Sequence, residues 1–210
     1  MSVATSLATA IAASALATLP CAPAFAQKTF DMVSGSMEPT IHVKQQITAN
    51  LFAYAFAVPA RGDVVVFMVP AGTEFRIYRV VAVPGDTIAY DAHRQLSLNG
   101  ALVPRSRMND APPAPWTNAQ VYVEEFPGAR HRVMLEPAST FTPTFPELAR
   151  NPACTTAPGT FTCKMPDGQY FLMGDNREHA QDSRFLGFIP AEYITARVSS
   201  GDSVGTDASH

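Results

Sequence analysis

Proline and glycine break this chain too often to leave room for long helices. There are 18 prolines and 12 glycines in 210 residues, and the intervals between them hold β-branched and aromatic runs of strand length. Residues 63–69 form such a run between Arg61-Gly62 and Pro70, and residues 75–83 form another that ends at Pro84-Gly85-Asp86. Leu96-Ser97-Leu98 and Ala101-Leu102-Val103 flank Asn99-Gly100, the dipeptide that a two-residue hairpin connection prefers. Val121-Tyr122-Val123 and Arg132-Val133-Met134-Leu135 flank Pro127-Gly128 as a second hairpin, and residues 169–173 supply a further strand. The pattern predicts an all-β chain. A less regular stretch, 104–166, is rich in Pro, Ala and Thr and reads as an insertion between two halves of a β core.

The first 26 residues read as a targeting segment. Residues 3–19 are apolar, Ala-rich and uncharged, and Ala24-Phe25-Ala26 fits the small-x-small rule for a cut before Gln27. Retained, the same run is an N-terminal anchor, although it is short for a spanning helix of ~20 residues. Either alternative exports the body of the protein, to the periplasm or the outer face of the cytoplasmic membrane. Cys21 lies inside this segment. Cys154 and Cys163 bracket a short Thr- and Gly-containing run, and in an oxidising compartment they are expected to form a disulfide clamping a turn. Net charge is −3, without the basic footprint of a nucleic-acid binder. No His or Cys cluster has metal-ligand spacing, so neither a metal nor a cofactor is expected. Lysine is scarce: only Lys28, Lys44 and Lys164.

Two distant runs carry candidate chemistry. Ser34-Gly35-Ser36-Met37-Glu38-Pro39-Thr40 is a small turn whose glycine lets backbones approach closely, as an oxyanion site requires. Taken alone, a serine there is an ordinary turn residue. Far downstream come Gly174-Asp175-Asn176-Arg177, then Asp182-Ser183-Arg184, then Gly187-Phe188-Ile189-Pro190. Between them lie Arg61-Gly62-Asp63-Val64-Val65-Val66-Phe67 and Arg79-Val80-Val81-Ala82-Val83-Pro84-Gly85-Asp86. In this order the set resembles the boxes of the type I signal peptidases, serine endopeptidases that use a lysine base.

The resemblance implies a mainly β signal-peptidase-like core from 27–92 and 168–200, with 93–167 as an inserted β subdomain; beyond it, 201–210 is expected to be a disordered tail. It implies Ser36 as nucleophile, Ser34 as an oxyanion-hole hydroxyl, and Asp182 and Arg184 as support for the site. A substrate would lie as an added strand beside residues 75–81, against Phe75, Ile77 and Val80. The implied partners are exported precursor proteins or peptides with Ala-x-Ala-like sites, at or near a membrane surface. Ala26 lies ten positions before Ser36, so a retained anchor would hold the serine at that surface.

Two departures from the family pattern stand out. Tyr78 occupies the position of the lysine base, and Ala180 that of the hydroxyl residue that holds it. Burial drives a lysine towards its neutral, basic form but makes a tyrosine keep its proton, so Tyr78 needs a neighbouring cation to ionise; Arg76 is on the same strand face. His179 is the other candidate base, with Asp182 or Asp175 to orient it. Loss of lysine and orienter together also fits a pseudoprotease that binds peptides or a partner in the same groove without cutting.

Overall fold

The computed structural model describes residues 27–69, 72–137 and 142–199. The expected targeting segment 1–26, with Cys21, and the expected tail 201–210 lie outside the described residues.

Fifteen strands, numbered in chain order, form three antiparallel sheets among the described residues. The largest holds β1 (Gln27–Asp31), β2 (Gln46–Asn50), β15 (Ile194–Val198), β3 (Val64–Met68), β4 (Phe75–Ala82), β13 (Gln169–Met173) and β14 (Ile189–Pro190), side by side in that order. The second runs β11 (Cys154–Ala157), β12 (Thr160–Lys164), β5 (Thr87–Tyr90), β6 (Leu96–Leu98), β7 (Ala101–Leu102). The third is β10 (Ala129–Leu135), β9 (Gln120–Phe126), β8 (Arg105–Arg107). The two described α-helices, α1 (Pro146–Ala149) and α2 (Ser183–Leu186), are four residues each. The all-β expectation holds.

Among the expected runs, β3 is wholly apolar, and β6 alternates, with Leu96 and Leu98 buried on either side of half-buried Ser97, the two-residue period of a half-buried strand. Asn99 and Gly100 both take positive φ between β6 and β7, as the tight turn demands. Cys154 and Cys163 face each other across β11 and β12 and are joined by a disulfide. One expectation needs correction. The stretch to residue 92 was assigned to the first half of the core, but β5 pairs with β6 and β12, in the same sheet as β7 and β11. Pro84-Gly85-Asp86 turns the chain out of the large sheet before β5 begins.

Strand β13 joins two apolar cores. Tyr170 and Leu172 pack with Val65, Phe67 and Tyr78 in the first, whereas Phe171 and Met173 pack with Ile88, Tyr90 and Phe161 in the second. The alternation of side chains along a strand makes this double role possible. The chain that leaves β13 at Gly174 therefore emerges from the seam between the cores.

Candidate functional site

The turn carrying Ser34 and Ser36 is pinned from below and from the side. Met37 and Ile41 are fully buried in the first core, and Ile41 N–H donates to the Met37 carbonyl. Alongside, Asn176 N–H donates to the Ser36 carbonyl at 3.0 Å, and Asn176 Nδ2 to the Gly35 carbonyl at 3.0 Å. Thr40 Oγ1 donates to Asp175 Oδ2 at 2.5 Å. Asp175 is buried, which alone would raise its pKa. The charge of Arg79 and its paired hydrogen bonds, 2.9 and 2.6 Å, outweigh that and hold the carboxyl below its ordinary range.

Gly174 and Gly35 allow close approaches that a side chain would block. A Cβ on Gly174 would overlap Ala180 Cβ and stand 2.6 Å from the Ser36 carbonyl oxygen; one on Gly35 would stand 2.6 Å from Trp116 Cζ2. Trp116 thus packs closely against the turn. It comes from the irregular segment between β8 and β9.

Ser36 Oγ lies 3.0 Å from Ser34 Oγ. Both hydroxyls line a cavity of about 390 Å³, together with Phe75, Ile77, Tyr78 and His179. On the side where β13 pairs with residues 79–82 of β4, no described strand pairs with residues 75–78. A main-chain edge is therefore open beside the serines. Val80 does not belong to this wall. It is buried at 1 %, paired with Leu172 of β13, and hydrogen-bonded to Asp63 and Gly62 on its other side. Both its edges are occupied, so the expected contact with a bound peptide fails there.

Tyr78 is buried against Phe67. Burial raises its phenol pKa, the Asp182 carboxylate raises it further, and the opposing pull of Arg76 is not enough to reverse the shift. Tyr78 is held as a neutral phenol and is a poor acceptor for a serine proton. Asp182 is fully buried. It accepts Gly174 N–H at 3.0 Å and, from Arg184, the backbone N–H at 3.1 Å with Nε and Nη2 at 2.8 Å each. Arg177 makes a similar buried pair with Glu124 of β9, which locks the third sheet onto this turn. Asp182 and Asp175 are thus spent on arginines, and neither orients His179. The partner of His179 is Glu136, whose Oε1 lies 2.8 Å from Nε2.

His131 of β10 is a buried histidine that the sequence did not single out. Neither ring nitrogen has a hydrogen-bond partner, the ring stacks on Phe126, and burial, reinforced by Arg79, pushes its pKa down to about 3. In the unfolded chain a histidine titrates near ~6.5. As pH falls below that value the unfolded state takes up a proton that the folded state refuses, so stability is lost between there and about 3. The expected urea midpoint falls steadily from pH 6.5 towards pH 4.5, with a slope from this group of at most ~1.4 kcal/mol per pH unit. His131→Phe flattens that slope; an unchanged slope would remove His131 as its source.

An open strand edge, a cavity and two adjacent serine hydroxyls on a pinned turn make up a peptide-sized site on a mainly β scaffold. Comparison with known proteins gives its lineage. The family described as "Signal peptidase, peptidase S26" matches residues 3–200, and the chain belongs to that family. It is 31 % identical over 196 residues to a signal peptidase I of Pseudomonas fluorescens, covering 82 % of this chain and 63 % of that protein. A signal peptidase I of Aquifex aeolicus (strain VF5) is 30 % identical over 185 residues, 80 % of this chain and 72 % of that one. The chain thus spans under two thirds of the length of the Pseudomonas relative. A solved signal peptidase I from Enterococcus faecalis V583 overlaps 66 % of this chain and 95 % of its own at 20 % identity, with a TM-score of 0.37, too loose a superposition to add to this.

Trp116 and Glu136 lie outside every run that the sequence singles out, whereas Gly174 and Asn176 belong to a recognised box whose contacts with the serine turn only the structure shows. Trp116 is the chain's one tryptophan, a signal that was available, but nothing in its Pro-rich surroundings says which turn it covers.

Proposed function

We propose that this chain is a signal-peptidase-I-type serine endopeptidase that cuts exported precursor proteins after small residues, with Ser36 as the nucleophile. The observation that carries this is the Ser34–Ser36 hydroxyl pair on the cavity wall, next to the unpaired edge of β4. An extended peptide adds its main chain to residues 75–78, with Phe75 and Ile77 lining the groove. Ser34 Oγ and the Ser36 N–H then stabilise the oxyanion. Asp182 and Arg184 keep Gly174 and the turn in place. A site on the outer face of the cytoplasmic membrane suits such precursors, and Val33, at the rim of the cavity, is 89 % exposed.

The loss of the lysine favours a second possibility, a pseudoprotease that holds peptides without cutting them; buried, neutral Tyr78 and apolar Ala180 are the observations behind it. One experiment separates the two. A peptide spanning an Ala-x-Ala site is incubated with the protein, its fragments are mapped by mass spectrometry, and binding is followed by fluorescence anisotropy. The expected result is a single cut after the second Ala, with a Lys-x-Lys peptide left intact. Binding without any cut would select the pseudoprotease.

A further inference from the structure

Cleavage by Ser36 needs a proton acceptor, and the lysine position cannot supply one. Among the described residues lining the cavity, the ionisable groups are Asp31, Glu74, Arg76, Tyr78 and His179. Asp31 and Glu74 are exposed, and Glu74 faces Arg76 at 3.8 Å. Arg76 is a cation bonded to the Gln181 carbonyl, and Tyr78 is a neutral phenol. His179 remains.

Its ring is fixed on two sides. Glu136, just beyond β10, holds Nε2 at 2.8 Å. Trp116 packs against the ring with centroids 4.2 Å apart and planes tilted by 42°, and the same indole contacts Gly35, between the two serines. Glu136 is itself anchored, since its N–H donates to Glu178 Oε2 at 2.9 Å while Glu178 Oε1 pairs with Arg94. Of the arginines around this group, Arg94 donates to the Glu136 carbonyl at 2.9 Å and pairs with Glu178, while Arg177 and Arg184 are committed to Glu124 and Asp182. When Nε2–H donates to Glu136, the neutral imidazole carries its lone pair on Nδ1. A carboxylate that fixes the tautomer, and a free nitrogen on a ring lining the nucleophile's cavity, are the parts of a serine–histidine–acid arrangement.

We propose that His179 is the general base for Ser36 and Glu136 its positioning residue, a pair that takes over the role of the absent lysine and rests on the cleavage proposed above. His179 Nδ1 takes the Ser36 Oγ proton as Oγ bonds to the scissile carbonyl carbon, whose π pair moves to oxygen. As the tetrahedral species collapses the C–N bond breaks, and Nδ1–H protonates the departing amine. Water then attacks the acyl-enzyme and gives its proton to Nδ1. That proton returns to Ser36 Oγ as the new carboxyl group leaves.

The test is the pH profile of kcat/KM for the Ala-x-Ala peptide, measured on the wild type, His179→Gln, Glu136→Gln and, as a control in an exposed turn, His93→Gln. The wild type should lose activity towards acid with a one-proton slope. His179→Gln should lower kcat/KM by about 10²- to 10⁴-fold, the usual contribution of a general base. Glu136→Gln should keep part of the activity and move the acid limb to lower pH, a displacement that mere loss of packing would not produce. His93→Gln should match the wild type. His179→Gln within threefold of wild type, or a Glu136→Gln limb that stays in place, would overturn the pair while leaving cleavage by Ser36 intact. A wild type that never cuts would overturn cleavage and base together.

Discussion

Ser36→Ala is expected to reduce peptide cleavage by at least about 10³-fold, because removing the nucleophile leaves only oxyanion stabilisation and binding. Stability should hardly change. The hydroxyl's hydrogen bond is to Ser34 Oγ, and such a bond is worth about 1 kcal/mol net. The main-chain bonds that fix the turn, from Asn176 to the Ser36 and Gly35 carbonyls, survive the substitution. Peptide affinity should survive as well, since the strand edge at residues 75–78 is untouched. Kinetics, thermal melting and anisotropy titration on one preparation separate these effects. Cleavage that persists in Ser36→Ala would assign the chemistry to another residue.

Asp182→Ala is expected to have the opposite profile, with the damage in the fold. It strands the Arg184 guanidinium in a buried position, withdraws the acceptor for Gly174 N–H, and removes the side-chain cap of α2. Breaking one partner of a buried ion pair costs roughly 3–5 kcal/mol, a large share of the ~5–15 kcal/mol that holds a domain together. Urea unfolding should show the midpoint falling with little change in slope. The double replacement Asp182→Leu with Arg184→Met should recover part of the loss, since an apolar pair leaves no uncompensated charge. A midpoint for Asp182→Ala near that of the wild type would show that the pair is not needed for stability.

The strands were legible because their signals are local. Asn99-Gly100, the run 63–69 and the turn at Pro84-Gly85 each speak for a few neighbouring residues, and all three appear in the structure, the run as β3 at Val64–Met68. Partnership was less legible. β5 looked like part of the first core because it follows β4 closely, yet its partners β6 and β12 are set by pairing across the inserted stretch. Val80 was misplaced for a related reason. Facing along a strand follows from a two-residue period, but occupancy of both edges depends on which strands arrive beside it.

The site shows the same division. The turn with Ser34 and Ser36 could be picked out by its resemblance to a family box, and the structure sets its hydroxyls together on a cavity wall. For Tyr78 the sign of desolvation spoke against a base while Arg76 on the same face kept one open; in the structure burial and Asp182 outweigh Arg76 and the phenol pKa is raised. The orienter of His179 did not follow. Asp175 and Asp182 are near it in sequence, but arginines claim both. Glu136 reaches it only because Met134 N–H bonds the Asp175 carbonyl and lays the end of β10 beside residues 175–179.

Ser36 as a working nucleophile in a peptide groove can be tested covalently. The most direct measurement is the site of covalent capture by an Ala-x-Ala peptide ending in a phosphonate electrophile, mapped by tryptic mass spectrometry. One adduct per chain is expected, on Ser36, absent in Ser36→Ala, slowed in His179→Gln and prevented by excess unmodified peptide. A chain that stays unlabelled while still binding the peptide, or an adduct on any other residue, would contradict that role for Ser36.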